Sequence, residues 1–509
     1  MWRYLYLVLF LALWACQPDE NKVQHKELAN YNEVPTWAEE AIWYQIFPER
    51  FYNGDSTNDP RPEDMIGAYP GFTPANWQIT PWTWEWHQLE PWLQNLDSLK
   101  DLSGNPLQAF NQKVQLRRYG GDLAGILAKL DYLDSLGINA IYINPLNDAP
   151  SLHKYDARNW RHIDRNFGPK PKADAELMAK EDPLDYEHWQ WTSADSLFLK
   201  VIEEVHARDM HLILDYSWNH TGTQFFAWQD VLKNQKESKF KDWYWIEQLD
   251  DPKTDSSEFA YRGWLGVPSL PEIKDTPYAD HSSEVRAFEG QVASAQVKKH
   301  IYEISKRWLD PNGDGDPSDG VDGFRLDVAA EMPLGFWREY RKEVKAINPE
   351  AYLIGEVWWQ EYPDKLLNPK PFLQGDVFDG VMNYRWFRAV RHYLLAAPDS
   401  IRASELVDSL KSFAQSADWS HQKAWMNMSA SHDAPRLATA MLNRNAYKQG
   451  ANRDNAAYKI HKPNQNARVR QRLFLLLQFT MPGSPQIYNG DEMGMWGADD
   501  PGNRKPLIW

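Results

Sequence analysis

Cysteine is almost absent from this 509-residue chain, which contains only Cys16. No thiol follows Cys16, so disulfides, thiolate metal sites and cysteine nucleophiles are excluded from the rest of the chain. The sequence also shows no internal repeat and no low-complexity segment. Its length exceeds that of one compact core, which predicts either two to four domains or a barrel with insertions.

Positively charged residues are also fewer than negatively charged ones. The chain has 55 Lys and Arg residues against 71 Asp and Glu residues, which gives a formal net charge of −16 and a pI near 5.4. A polyanionic partner would be repelled by this charge, so nucleic acid is not expected as a ligand.

Cys16 ends an apolar stretch, residues 7–15, that follows Arg3. The stretch is too short to span a bilayer and is typical of a signal-peptide core. A small residue followed by cysteine resembles the bacterial lipoprotein signal, which predicts a signal over 1–16, a lipid on Cys16 and a polar tether over 17–35. The product would then be lipid-anchored in the bacterial cell envelope, facing the periplasm or the exterior. The alternative is an ordinary secretory signal with an incidental cysteine.

Five short polar segments, each at the end of an apolar run, carry most of the chemical information. A parallel barrel presents its catalytic groups at such strand ends. Three carboxylates, one arginine and two histidines would then share one pocket. Such a set of side chains is typical of the active site of a glycoside hydrolase. Each segment alone is compatible with a surface ion pair, a helix cap or a solvated strand end, so the prediction depends on their order. The segments are 215–220, 323–327, 355–358, 431–433 and 489–492.

Eight apolar runs suited to buried parallel strands recur along the chain, with helical patterns between them. The clearest helical pattern is 122–136, where five leucines and one isoleucine form an apolar stripe. This alternation predicts an α/β fold, specifically a (β/α)8 TIM barrel. The predicted strands are 42–47, 140–145, 211–216, 321–328, 351–357, 377–384, 424–429 and 485–489.

With these motifs in this order, the chain resembles the α-amylase family of retaining glycoside hydrolases from about Ala41 to its last residue. The segment 323–331 is most similar to the neopullulanase and cyclomaltodextrinase branch. The resemblance implies a catalytic barrel over 36–509, with a small domain inserted after the third strand at about 218–290. It also implies an α-glucan oligosaccharide substrate. Further matches to the family's pattern are 42–51, 153–156 and 378–384.

The resemblance implies catalytic roles for three residues. Asp327 matches the family's nucleophile, and Glu356 matches its general acid. Asp433 matches the third carboxylate, which holds sugar hydroxyls and stabilises the transition state. Arg325, a predicted substrate-binding residue, lies two positions before Asp327 on the same strand face, so we expect it to keep Asp327 ionised.

Three further residues are implied to line the sugar subsite on the non-reducing side of the cleaved bond: Tyr155, His220 and His432. Asp215 is expected to support the strand end through hydrogen bonds rather than to take part in the chemistry. The chain is 14% aromatic, with dense clusters in turn-rich stretches such as 77–86. Aromatic faces on loops suit the apolar faces of sugar rings, and the alternative is that they pack long loops onto the barrel.

An acidic loop before the fourth predicted strand is the candidate metal site. Oxygen-bearing residues alternate there with a glycine at the sixth position, as in a calcium loop. Val321 stands at the twelfth position in place of a bidentate glutamate, so the alternative is a solvated acidic turn. A calcium ion there would be structural, since the loop precedes its strand, and no organic cofactor is expected. The predicted ligands are Asp310, Asn312, Asp314 and Asp316.

Together these features favour retaining hydrolysis of α-1,4-glucosidic bonds in starch-type oligosaccharides, cyclodextrins or pullulan. One alternative is a transglycosylase of the same family, since a sugar hydroxyl can intercept the glycosyl-enzyme. The other is a surface glycan-binding lipoprotein with an inactive barrel, against which the intact carboxylates argue. The family's final helix and C-terminal β domain would follow Trp509, so we expect both to be missing and apolar surface to be exposed. The native product would then be longer, or this form poorly stable.

Overall fold

The computed structural model describes residues 32–276, 287–363, 365–396, 400–415, 417–444, 447–448 and 450–509. The predicted signal, the lipid site at Cys16 and residues 17–31 of the tether predicted over 17–35 lie outside the described residues. Val34 is already buried, in a core cluster that includes Trp43 and Tyr352. Within the described ranges, no helix is both long and apolar enough to cross a membrane.

Eight parallel strands form the centre of the fold, and all eight were predicted from the sequence. They are β1 (Trp43–Ile46), β2 (Ala140–Ile143), β3 (His211–Tyr216), β4 (Gly323–Leu326), β5 (Tyr352–Gly355), β6 (Gly380–Val381), β7 (Met426–Met428) and β8 (Ser484–Tyr488). Neighbouring strands pair in the order β6-β5-β4-β3-β2-β1-β8-β7. A parallel bridge between Met382 and Met426 joins the two ends of this order. The sheet is therefore a barrel, as predicted.

Helices alternate with the barrel strands. The pattern over 122–136 forms two helices rather than one, because the N–H of Lys129 bonds the carbonyl of Ile126, three residues back instead of four. The α-helices are Thr36–Glu39, Phe110–Lys113, Leu123–Leu127, Leu130–Ser135, Pro171–Lys180, Ser193–His206, Phe226–Asn234, Ala295–Leu309, Leu334–Ile347, Tyr384–Leu395, Ala403–Ala414, Trp419–Ala424, Leu437–Ala440 and Gln465–Thr480.

Short antiparallel hairpins lie outside the barrel. Two of them, with the helix Phe226–Asn234, belong to the segment between β3 and the helix Ala295–Leu309, where the inserted domain was predicted. A bridge between His220 and Glu272 ties this segment to the end of β3. The hairpins pair Asn147–Asp148 with Asn159–Ile163, Ile246–Gln248 with Ala260–Tyr261, Asp275–Thr276 with Gln291–Val292, and Trp359–Glu361 with Lys365–Leu366.

The Trp-rich segment after β1 forms a small core of its own. Trp77, Trp86 and Trp92 are buried there with Leu93 and Leu107. These tryptophans pack the loop against itself, so a packing role rather than a sugar-binding one fits them.

Strand alternation sends different residues to the two sides of the barrel wall. In β4, Phe324 and Leu326 face outward into the large core shared with the helices, where they meet Trp308 and Tyr340. Arg325 points inward and is fully buried. Polar side chains at inward positions near the strand ends therefore converge on the barrel axis.

One helix presents apolar side chains to solvent. Val469, Leu473, Leu476 and Phe479, on the helix Gln465–Thr480, are all exposed. Their spacing places them along one helical stripe, so the exposed apolar surface expected near β8 is present.

A substitution at Gly323 tests how tightly β4 packs against β5 in the barrel. Its φ is +145°, and a Cβ there would lie 2.0 Å from the Tyr352 carbonyl oxygen. We expect Gly323→Ala to lower the free energy of unfolding by about 3 kcal/mol or more, because backbone strain and overpacking add. Urea unfolding measures this loss. The control Gly315→Ala, at φ +85° with no atom within 4 Å, should cost about 1–2 kcal/mol, and equal losses would contradict the prediction.

Candidate active site

A cleft of about 1040 Å³ opens at the carboxyl ends of the barrel strands. Asp327 directly follows β4, Glu356 directly follows β5, and Asp433 lies in the loop after β7. All three carboxylates line the cleft, together with Tyr155 and His220. The structure therefore brings together side chains that are far apart in the sequence.

A buried arginine contacts two of these carboxylates. Nη1 of Arg325 lies 2.5 Å from Oδ1 of Asp327, and Nη2 lies 3.1 Å from Oε2 of Glu356. The same guanidinium lies 3.0 Å from Oδ1 of Asp215, the residue paired with Arg325 across β3 and β4. One cation is therefore shared by three carboxylates at a position closed to water.

The protonation of Asp327 differs from expectation. Burial raises the pKa of Asp327 well above its usual range, and the charges of Glu356 and Asp215 reinforce the rise while Arg325 opposes it. Arg325 therefore acts on Asp327 in the predicted direction, but burial and the neighbouring carboxylates outweigh it, so the raised pKa belongs to the group of carboxylates around Arg325. Carboxylates crowded around a single cation favour the retention of a proton among them, and a general acid requires such a proton.

The two carboxylate oxygens of Glu356 have different surroundings. Oε2 faces Arg325 and accepts a hydrogen bond from the backbone N–H of Val328 at 3.1 Å. Oε1 lies 3.2 Å from the hydroxyl of Tyr384. Val328 adopts φ 49° and ψ 31°, a left-handed conformation that β-branched residues avoid. The turn after Asp327 thus directs a backbone donor at Glu356.

Asp433 lies among positively charged and hydrogen-bonding groups. Its Oδ2 lies 2.8 Å from Nε2 of His432, and its Oδ1 accepts from Nη2 of Arg504 at 2.8 Å. Lys448 bonds its backbone carbonyl. Burial alone would raise the pKa of Asp433, but these three neighbours hold it well below its usual range. Asp433 is therefore ionised, and its pKa is shifted in the opposite direction from that of Asp327.

Tyr155 and His432 form a hydrogen-bonded stack beside the carboxylates. Their ring centroids are 5.7 Å apart at 16°, and the Tyr155 hydroxyl lies 2.8 Å from Nε2 of His432. The same hydroxyl donates to Oδ2 of Asp215 at 2.8 Å. Gln45 Nε2 lies 2.8 Å from Nδ1 of His432. His432 is fully buried beneath the cleft, so Tyr155 presents the exposed face of this pair.

His220 is a neutral residue with a spare ring nitrogen. Its ring stacks on Trp264 at 5.2 Å and 17°. Burial lowers the pKa of His220 to about 3. Within the part of the chain that the structure describes, Nε2 has no hydrogen-bond partner. Because His220 lines the cleft, this nitrogen is suited to a ligand hydroxyl.

The predicted calcium loop lies away from the cleft, between the helix Ala295–Leu309 and β4. Asn312, Asp314 and Asp316 each accept the backbone N–H two residues later through Oδ1, at 2.8, 2.8 and 3.0 Å. Oδ2 of Asp310 also accepts a backbone N–H, whereas its Oδ1 is buried without a partner. Over the described ranges, no group of three or more His, Cys, Asp or Glu side chains has the arrangement of a metal site.

Four residues that contact Asp433 or Glu356 were not predicted from the sequence: Arg504, Lys448, Tyr384 and Val328. Tyr384 ends a predicted strand run, so the signal used for the other residues would have found it. Arg504 follows β8, and Lys448 lies between β7 and the helix Gln465–Thr480. Neither ends an apolar run, and their contacts with Asp433 arise only in the folded chain.

Comparisons with known proteins agree with this geometry. The family model described as "Alpha amylase, catalytic domain" matches residues 45–185 and 190–506. Neopullulanase 2 of Thermoactinomyces vulgaris is 32% identical over 480 residues, and a cyclomaltodextrinase of Geobacillus thermopakistaniensis is 31% identical over 481. Each alignment covers 94% of this chain and 60% of the relative.

A solved structure shares the fold. The ligand-free cyclic α-maltosyl-(1→6)-maltose hydrolase of Arthrobacter globiformis has a TM-score of 0.64 at 25% identity, covering 94% of this chain and 80% of that one. The chain spans 60% of the length of the two curated relatives. From the family match over nearly its whole length, we conclude that the chain belongs to the α-amylase family.

Proposed function

We propose that this chain hydrolyses α-1,4-glucosidic bonds in starch-type oligosaccharides, cyclodextrins or pullulan, with retention of configuration. The observation that carries the proposal is the Arg325 guanidinium, which contacts Asp327 and Glu356 at once while Asp433 lies ionised in the same cleft. The names of the neopullulanase and cyclomaltodextrinase relatives support the substrate class.

In the first step, a carboxylate oxygen of Asp327 bonds to the anomeric carbon as the glycosidic bond breaks. Glu356 gives its proton to the departing sugar oxygen, so the leaving group departs as a neutral hydroxyl. This requires the retained proton to lie on Glu356 and the charge on Asp327. The 2.5 Å contact with Arg325 favours that distribution.

In the second step, water replaces the leaving group. The carboxylate of Glu356 takes a proton from the water, whose oxygen bonds to the anomeric carbon and releases Asp327. Glu356 thereby regains its proton. Asp433, held ionised, accepts hydrogen bonds from sugar hydroxyls, and Tyr155 and His220 contact the same ring.

The catalytic pair is tested with one variant of each residue. Asp327→Asn should lower maltoheptaose hydrolysis by about 10⁴-fold or more, because no glycosyl-enzyme forms. Glu356→Gln should lose comparable activity but still react with α-maltosyl fluoride, whose leaving group needs no acid. Intact mass spectrometry detects that adduct. The control Asp408→Asn, at an exposed position, should retain activity. Full activity in Asp327→Asn would show that Asp327 is not the nucleophile.

Stereochemistry and products are tested on the unaltered chain. Retaining enzymes hold their two carboxyl groups about 5–5.5 Å apart and release the product with the substrate's configuration, so NMR should show the α-anomer first. An initial β-anomer would exclude the double displacement.

Chromatography of digests of maltoheptaose, pullulan, cyclodextrin and trehalose identifies the substrate. Products longer than the substrate would favour the transglycosylase alternative, and binding without turnover would favour the glycan-binding one.

We also propose that Cys16 is lipidated and holds the protein on a bacterial membrane. The support is the apolar stretch before Cys16 and the polar residues Asp19 and Glu20 after it. Stable attachment follows from multiple acyl chains. Cys16→Ser should move the protein to the soluble fraction on ultracentrifugation, whereas the neighbouring control Gln17→Ser should stay with the membrane. Unchanged fractionation of Cys16→Ser would refute lipidation.

We further propose that the loop over 310–316 binds a structural calcium ion. The buried, unpartnered Oδ1 of Asp310 supports this, although the neighbouring side chains accept backbone N–H groups and would have to turn toward the ion. Saturating calcium should raise the Tm over that of EGTA-treated protein by about 2–4 °C. The double variant Asp310→Asn/Asp314→Asn should abolish the shift, and Asp408→Asn should keep it. An equal shift in the double variant would exclude this loop.

A further inference from the structure

One short stretch of the Trp-rich segment after β1 reaches the cleft. Over residues 110–116, Phe110 and Val114 pack into the small core of that segment. Asn111 and Gln115, each one position later, line the cleft instead. Because residues four apart share one face of a helix, the two amide side chains form a pair on the cleft side. Neither residue takes part in the two chemical steps.

Both amide groups are available to a ligand. Among the residues that the structure describes, none hydrogen-bonds the side chain of Asn111 or of Gln115, and both residues are half-buried. Gln112 differs, because its Oε1 accepts the backbone N–H of Ala109 at 2.9 Å. An amide side chain offers two N–H donors and one carbonyl acceptor. The pair can therefore donate to and accept from the hydroxyls of a sugar.

An aromatic side chain lies next to these amides. Tyr69 lines the same cleft and interacts with Gln112 and Asp101 of its own segment. Burial raises the pKa of Tyr69 to about 12, and the charge of Asp101 adds to the rise, so the phenol is neutral. An aromatic face suits the apolar face of a sugar ring, and amides suit its hydroxyls. None of the three cleft-lining side chains carries a charge, which fits an uncharged ligand.

The position of Asn111 relates this group to the reacting bond. Asn111 and Asp499 line a small pocket beside the cleft. The chain continues from Asp499 along the cleft wall through Pro501 to Arg504, which donates to Oδ1 of Asp433 at 2.8 Å. Asn111 therefore lies on the Asp433 side of the cleft.

Gln115 is tied to the loop after β2. Arg118 donates to the backbone carbonyl of Gln115 at 2.9 Å and to that of Pro150 at 3.1 Å. The same loop carries Tyr155, whose hydroxyl reaches Asp215 near the barrel axis. No described catalytic carboxylate contacts the Gln115 side chain. Gln115 therefore lies on the same side as Tyr155 but farther from the reacting bond.

We propose that Tyr69, Asn111 and Gln115 form a separate sugar subsite, which binds an α-glucan chain on its non-reducing side, beyond the ring that Tyr155 contacts. The cleft of about 1040 Å³ is at the upper end of the range for ligand pockets and holds more than one sugar ring. The subsite selects substrates that extend past the first ring. This inference rests on the proposed α-glucan substrate.

Two glycosyl fluorides test the subsite. α-Glucosyl fluoride places one ring on the non-reducing side and α-maltotriosyl fluoride places three, while both lose the same leaving group. We expect Asn111→Ala/Gln115→Ala to lower kcat/KM for fluoride release from α-maltotriosyl fluoride about 5- to 50-fold, because two neutral hydrogen bonds are lost. For α-glucosyl fluoride, kcat/KM should stay within about 2-fold. The control Gln108→Ala, at an exposed amide of the same segment, should leave both values unchanged.

Tyr69 is tested in the same assay. Tyr69→Ala should show the same selective loss with α-maltotriosyl fluoride, because the ring is removed. Tyr69→Phe keeps the ring and should retain the preference for the longer fluoride. The Tm of the double variant should match that of Gln108→Ala, since neither amide has a described partner in the protein. Equal losses with both fluorides, or no loss in the double variant, would overturn the inference.

A binding measurement separates the inference from the proposed function. Maltoheptaose is titrated calorimetrically into the Asp327→Asn protein, with and without the double substitution Asn111→Ala/Gln115→Ala. If wild type hydrolyses nothing but the double substitution weakens Kd, the proposed function fails and the inference stands. If wild type hydrolyses maltoheptaose and the double substitution leaves Kd unchanged, only the inference fails. If maltoheptaose does not bind at all, both fail.

Discussion

The buried guanidinium of Arg325 is the charge on which the cleft depends. It lies at the barrel axis and contacts Asp215, Asp327 and Glu356, which end three adjacent strands. Without it, these carboxylates would be left uncompensated in a medium of low polarity, at a cost of several kcal/mol. With it, one positive charge faces three acidic groups, and the excess of negative charge favours the retention of a proton among these carboxylates. The register between β3 and β4 places Arg325 directly opposite Asp215, and this pairing brings the two side chains into contact.

The other end of the cleft has the opposite balance, since Asp433 faces His432, Arg504 and Lys448. The two aspartates therefore have opposite effects on stability with pH. Asp433, with a depressed pKa, contributes stability above the ordinary aspartate range and loses it as pH falls. Asp327, with a raised pKa, destabilises the fold as pH rises through that range toward its folded pKa. The hydrolysis proposed above needs both conditions at once, a proton held among the carboxylates around Arg325 and a permanent negative charge on Asp433.

The barrel could be predicted from the sequence because each buried parallel strand is a short apolar run, and eight runs in order leave few other folds. The main carboxylates were predictable for the same reason, since Asp327 and Glu356 directly follow strands. Arg504 and Lys448 were not, because loop residues reach Asp433 only through tertiary folding. The raised pKa of Asp327 was also missed. The sequence shows that Arg325 lies two positions before Asp327, but it does not show that Asp215 and Glu356 contact the same guanidinium or that burial outweighs the effect of Arg325 on the pKa.

The turn after the fourth strand links the barrel wall to the geometry of the acid. Val328 adopts a left-handed backbone conformation that costs a β-branched residue of order 1–3 kcal/mol. In that conformation its N–H reaches Oε2 of Glu356, the oxygen that also faces Arg325. Oε1 accepts a hydrogen bond from the Tyr384 hydroxyl at 3.2 Å, so each oxygen of Glu356 has its own partner. The strained turn after Asp327 thus helps to fix the orientation of the Glu356 carboxylate, because the backbone N–H that holds Oε2 belongs to the residue directly after Asp327.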